Sequence, residues 1–191
     1  MELRIMKKLV WAKTLFESYG YLNRIIGGID KLVVERSVKS YGITFGGPTT
    51  LERMETIIDL IQRKKRLLAV KMLIEESLKK INKDSARALI RYYIDKEDLP
   101  TIAESFGTNK RTMARRINKM LVEAIEKMSE LGYNVAKIEL LLQNEAWIIG
   151  LYNKTASKFG EANQNLLAIP ALNDMERIYW GSARMSAQKI T

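Results

Sequence analysis

LPTIAESFGTNKRTMARRINKML, residues 99–121, is the stretch from which the rest of the chain can be placed. Ile102, Ala103 and Phe106 stand at helical spacing and form one apolar edge. Gly107 follows where a helix must stop and turn, because glycine takes a positive φ without steric penalty. Thr108 and Asn109 offer side-chain oxygens to cap the free N–H groups of a new helix. Met113, Ile117 and Leu121 then recur every fourth residue and give that helix a face to bury. Its other face carries Lys110, Arg111, Thr112, Arg115, Arg116 and Lys119, with no acidic residue between Gly107 and Lys119. A short helix, a glycine turn and a second helix with a cationic outer face spell a helix-turn-helix, whose second helix enters the DNA major groove. An ordinary helical hairpin with a solvated basic face is the competing reading. The charge placement counts against it: cations crowd the start of the second helix, where they oppose the helix dipole. That costs stability and points to an anionic partner.

The longer segment DSARALIRYYIDKEDLPTIAESFGTNKRTMARRINKMLVEAI resembles region 4 of sigma-70-type factors. It is more similar still to the sigma-region-4-like regulators of phages and prophages of Gram-positive bacteria, the ArpU and RinA kind. Those regulators carry a YLNRI-like stretch in a helical N-terminal part, and Tyr21-Leu22-Asn23-Arg24-Ile25 looks like it. The resemblance covers residues 15 to 128, with no counterpart for 131–191. It departs at Arg116, where many helix-turn-helix sequences keep an aliphatic residue; Ile117 supplies the packing here. The resemblance implies a transcription regulator that contacts RNA polymerase. No promoter-melting segment is evident, so an activator is expected rather than a complete sigma factor.

Charge supports the same partner. The formal net charge is +10 and the isoelectric point about 9.7, which favours a polyanion at long range. Residues 1–80 contribute +7, residues 81–130 contribute +2 and residues 131–191 contribute +1. In the middle segment the acids fall mostly before Gly107, so its small total hides the basic helix. A chain of 191 residues, 47% hydrophobic and 28% charged, suits a globular protein able to bury a sizeable core. It holds no cysteine and no histidine. That excludes disulfides, thiolate chemistry, the usual zinc sites and any histidine base, and fits a reducing cytoplasm. No cofactor is implied. No apolar run reaches the length of a membrane span, and the charge-studded N-terminus is not a signal peptide, so a cytoplasmic location is expected.

Outward from the central stretch, helices are expected throughout: an all-α chain. Ile5, Leu9, Ala12, Phe16, Tyr19, Leu22 and Ile26 make the stripe of an amphipathic helix from Glu2 to Ile26, stopped by Gly27-Gly28. Lys7, Lys8 and Lys13 read as its solvated face. A shorter helix follows from Asp30 to Lys39. The loop Tyr41–Pro48 has glycines but no Lys-Ser/Thr ending, so it is not a phosphate cradle. Thr49-x-x-Glu52 is a capping box, and no Pro or Gly intervenes from there to Ile81. Leu51, Met54, Ile58 and Ile61 make one seam of this long helix; Leu67, Val70, Ile74, Leu78 and Ile81 make a second. A helix of about 45 Å must pair with the N-terminal helix or with another copy as a coiled coil, and a homodimer is expected. Arg63-Lys64-Lys65-Arg66 reads equally as a solvated band or a phosphate contact.

Asn82-Lys83-Asp84 breaks the long helix, with Asp84 or Ser85 as the next cap. Ala88, Leu89, Tyr92 and Tyr93 face inward, the tyrosines in the core in preference to stacking on bases. Residues 135–152 are apolar nearly all round and read as one buried helix. Asn153–Asn165 is polar, and a last short helix runs from Asn173 or Asp174 through Trp180. The organisation is thus 1–82 helical and dimerising, 83–130 DNA-binding, 131–191 a helical interaction extension.

The function expected is a sequence-specific DNA-binding transcription regulator. Arg116, Lys119 and Lys127 would touch phosphate, and Asn109, Lys110, Arg111, Thr112 and Arg115 would reach base edges, with Thr108 at the turn. A phage terminase small subunit, which also joins a helix-turn-helix to oligomerising helices, is the alternative. The carboxylate pairs Glu75/Glu76 and Glu139/Glu145 lack any catalytic motif, and solvated charge accounts for them; an enzyme is not expected.

Overall fold

Two long antiparallel helices carry the other described residues. The computed structural model describes residues 2–38 and 49–159. Among the described residues seven α-helices run in order: α1 (Glu2–Val38), α2 (Thr50–Lys80), α3 (Lys83–Leu89), α4 (Leu99–Ser105), α5 (Lys110–Glu130), α6 (Val135–Leu142) and α7 (Ala146–Ala156). A π-helical turn, Ile90–Ile94, continues α3, and a 3₁₀ turn, Ser157–Phe159, ends α7. There is no strand among the described residues, and the fold is all-α. The Tyr41–Pro48 loop and everything expected beyond Gly160, including the helix ending at Trp180, lie outside the described residues.

Helix α1 does not stop at the glycine pair. It runs unbroken through Gly20, Gly27 and Gly28 to Val38, and the separate helix expected from Asp30 is its last stretch. Each mid-helix glycine costs about 1 kcal/mol of propensity relative to alanine, a small sum against tertiary burial. Leu22, Ile26 and Ile29 are buried around the pair, and beyond it Asp30 accepts a hydrogen bond from Lys64 of α2. A Cβ at Gly27 or Gly28 would meet no atom within 4 Å, so the glycines answer no close approach. Gly27→Ala and Gly28→Ala are therefore expected to raise stability by about 0.5–1 kcal/mol each, read from thermal melts. A loss would mean that α1 bends there.

The expected capping box starts α2: Thr49 Oγ1 accepts from the Glu52 amide and the Glu52 carboxylate accepts from the Thr49 amide. The Thr49 amide, and with it the Thr49 hydroxyl, donate to the Glu52 carboxylate and hold it below its ordinary value. The second seam of α2 is buried at Leu67, Val70, Ile74 and Ile81, with Leu78 half-buried against the core. Here α1 is the partner. The first seam is not covered: Leu51, Met54, Ile58 and Ile61 are 39–66% exposed.

Burial on α1 is wider than the stripe read from periodicity. Val10, Trp11 and Leu15 are fully buried together with Ala12 and Phe16, while Ile5 is 49% exposed. Trp11 stacks on Tyr152 of α7 with ring centroids 4.5 Å apart and donates its indole N–H to Glu139 of α6. Phe16 meets Tyr93 at 5.8 Å. Buried residues from Val10 to Ala156 form one continuous cluster, so all three sequence segments share a core. Lys7 pairs with Glu139 and Lys8 with Glu126, so neither is merely solvated. Lys13 is half-buried, and burial together with nearby Lys158 lowers its ammonium pKa.

Residues 135–152 are two helices, not one. The chain breaks at Gln143–Glu145, and at the break Glu145 turns inward: it is 1% exposed and accepts three hydrogen bonds from the Arg63 guanidinium at 2.8–3.2 Å. Trp147 Nε1 donates to the same carboxylate at 3.0 Å. Glu145 is therefore a buried structural charge, and Glu139 is likewise held by Lys7 and Trp11; neither is the solvated acid expected. Nor is the segment covered all round, since Leu140 is 66% exposed. The Tyr152 hydroxyl is buried and finds no hydrogen-bond partner among the described residues. Burial and the Glu139 charge push its phenol above the ordinary value. An unmet buried hydroxyl is a liability, so Tyr152→Phe should leave denaturation midpoints unchanged or raise stability by about 1 kcal/mol. A clear loss would reveal a bonded hydroxyl.

Candidate nucleic-acid interface

The cationic helix is reached through α3 and α4. Asn82, not Asp84 or Ser85, caps α3: its Oδ1 accepts from the Asp84 amide at 2.8 Å. Ala88 and Leu89 are buried as expected. The helix then widens into the π turn, which brings Tyr93 onto Phe16 and sets Tyr92 edge-on to it at 4.8 Å. Tyr93 is 5% exposed, so it belongs to the core and not to a stacking platform. In the polar turn Asp95-Lys96-Glu97-Asp98 that follows, Lys96 adopts a left-handed φ of 59°. Glu97 is gripped by Arg91, whose guanidinium holds the carboxyl below its ordinary value. Asp98 accepts from Thr101 Oγ1, and that bond, with help from the Lys110 charge, lowers its carboxyl too.

Helix α4 buries Ile102 and Ala103, and Phe106 is half-buried. Gly107 has φ +60°, the left-handed conformation that the turn needs. Its amide bonds Glu104 O and the Thr108 amide bonds Ala103 O, both at 2.9 Å, which closes the end of α4. Asn109 is the cap of α5: its Oδ1 accepts from the Thr112 amide at 2.8 Å. Thr108 contributes its backbone instead.

Helix α5 buries Met113, Ile117 and Leu121, then Ala124, Ile125 and Met128. Ile117 does take the packing position and Arg116 is exposed, as read from the departure at that site. Asn109, Lys110, Arg111, Arg115 and Lys119 are exposed too; Thr108 and Thr112 are half-buried. Arg111, Arg115 and Lys119 follow at four-residue steps along the outward face, with Arg116 beside them. Among the described residues Arg111, Arg115, Arg116 and Lys119 enter no ion pair, whereas Lys7, Lys8, Arg63, Lys64 and Arg91 each meet a carboxylate. Lys110 to Lys119 spans about 14 Å of helix axis. Beyond it the sign reverses: Glu126 pairs with Lys8, and Glu130 takes Lys127, which is thereby removed from the exposed cationic set. The 63–66 run is partly used internally, since Arg63 holds Glu145 and Lys64 holds Asp30.

What the arrangement offers chemically is an exposed row of cations on one helix face. Among the described residues no group of His, Cys, Asp or Glu could hold a metal ion, and no helix is long and apolar enough to cross a membrane. The residues missed by the sequence reading are Arg91, Glu97 and Ser105, which brace the unit from behind. Their only signal was an arginine and a glutamate six apart across a turn, too common to single out. Compared with protein-family models, with curated proteins and with solved structures, the chain finds no match.

Proposed function

We propose that the chain is a sequence-specific double-stranded-DNA-binding regulator of transcription, with α4, the Gly107 turn and α5 acting as a helix-turn-helix. One observation carries this reading: four cations on the exposed first half of α5 have no carboxylate partner although the chain pairs many others. The first of them, Arg111, stands in the first turn of α5, where opposition to the helix dipole costs stability that an anion would restore. Arg116 and Lys119 contact phosphate; Lys110, Arg111, Thr112 and Arg115 reach base edges. Asn109 keeps only its amide N–H donors for DNA, because its oxygen caps α5, so it cannot make the two-pronged contact to adenine. The likeness of residues 84–125 to sigma region 4 supports an activator that touches RNA polymerase.

Selection of binding sites from random duplex DNA at two salt concentrations tests the proposal. A defined motif is expected, with affinity falling as salt rises by a log–log slope of about −0.9 per phosphate contacted. No duplex retained at low salt would overturn it. Mass in solution then separates the two assemblies that the sequence allows: a homodimer fits a regulator, and a closed ring of many copies would move the reading to genome packaging.

A further inference from the structure

We infer that Arg91 is a positioning residue for the DNA-reading helix, joining three separate pieces of the unit through one side chain. This rests on the DNA-binding reading above. Arg91 sits in the π turn, and its Nε and Nη2 donate to both oxygens of Glu97 at 2.6–3.0 Å. Its Nη1 donates to Ser105 Oγ at the last residue of α4, and Ser105 in turn donates to Ile102 O. The main chain repeats the link, since the Glu97 amide bonds Arg91 O at 2.9 Å. So the end of α3, the α3–α4 turn and the end of α4 meet on one planar guanidinium. Ser105 lies two residues before Gly107 and five before the start of α5. Whatever sets the direction of α4 at Ser105 therefore sets the entry of α5.

The clasp is also placed where little else does that work. Helix α4 has seven residues; Ile102 and Ala103 are fully buried, and Leu99, with Phe106 just past its end, packs partly against the core, a small apolar anchorage. The side of α4 toward α3 is a cleft of about 180 Å³ lined by Asp84, Arg87, Arg91, Ser105 and Phe106, polar where a core would be apolar. Arg91 bridges that cleft, and its side chain is 17% exposed. The π turn matters here because the extra residue per turn rotates Arg91 relative to Leu89, which faces the core. A planar fork holds direction in a way a lysine ammonium cannot, since each of its N–H groups points along a fixed line. A reading helix must be held to a fraction of an ångström for base edges to be distinguished from phosphate.

Arg91→Lys keeps the charge and removes the fork; Ser105→Ala removes only the α4 arm and leaves the Glu97 pair. The experiment compares both with the wild-type chain on its selected site and on random duplex, beside thermal melts and amide hydrogen exchange at residues 106–109. Expected is a loss of about tenfold in affinity for the selected site with little change on random duplex, the size of one lost base contact. Melting should shift by less than about 3 °C, a change below about 1 kcal/mol for a domain of this size. Exchange at the turn amides should quicken in both variants. If specific and random binding fall together with melting, Arg91 is a structural residue only; if nothing changes, the clasp is inert. Either result overturns the inference. Failure of the wild-type chain to bind any duplex is a different failure, that of the DNA reading itself.

Discussion

Arg63→Ala is expected to lower the free energy of unfolding by about 2–4 kcal/mol, a larger effect than any surface change in the chain. The reason lies in what remains behind. Glu145 is 1% exposed, and Arg63 supplies three of the four side-chain hydrogen bonds its carboxylate accepts. Stripping one partner from a buried pair leaves an uncompensated charge and costs about 3–5 kcal/mol; the Arg63 side chain is 38% exposed, which tempers that figure. The Glu145 charge need not itself be the source of stability. Arg63→Met with Glu145→Gln removes both charges and should recover most of the loss, because an unpaired carboxylate, not a missing bond, is the chief cost. Urea denaturation of the single and double variants checks this. A single-variant loss under about 0.5 kcal/mol would mean that water reaches Glu145 once Arg63 is gone. The pair sits at the break between α6 and α7, where Glu145 turns inward beside α2.

The second large effect concerns binding and has the opposite sign on stability. Arg111→Ala and Arg115→Ala should each weaken binding to the selected site by about 1–3 kcal/mol, roughly 5- to 150-fold, and relax sequence preference at the base pair each one reads. Both side chains are exposed and unpaired, so no packing is lost. Arg111 stands in the first turn of α5, where a cation opposes the dipole. Its removal should leave stability unchanged or raise it by a few tenths of a kcal/mol. Residues kept for structure do not behave this way. Titration of both variants against selected and scrambled duplexes, beside thermal melts, gives the two signs together. Equal weakening on every duplex would reassign the pair to phosphate, and weakening that tracks melting would remove them from the site.

The unit around α4 and α5 was legible in the sequence because its signals are local. Helical spacing of Ile102, Ala103, Met113, Ile117 and Leu121, a glycine at the turn and an asparagine at the cap each act within a few residues. The same holds for the capping box of α2 and for the absence of any strand pattern. The errors have the opposite character. Gly27-Gly28 reads as a stop because propensity is a local cost of about 1 kcal/mol per glycine, and burial against α2 outweighs it. Val135–Tyr152 reads as one helix because nothing near Glu145 in sequence reveals Arg63, 82 residues away. The Arg91 clasp joins residues up to 14 apart through a π turn that no periodicity announces.

By itself the sequence determined that the chain is helical, where its long second helix begins and ends, and which face of α5 is cationic. These follow from short-range sterics, capping and hydrophobic period. Only the tertiary structure decided which charges are neutralised. Ion pairing depends on what lies across a helix interface, and that cannot be read along one helix. It removed Lys7, Lys8, Arg63 and Lys64 from the exposed cations and left Arg111, Arg115, Arg116 and Lys119 facing outward.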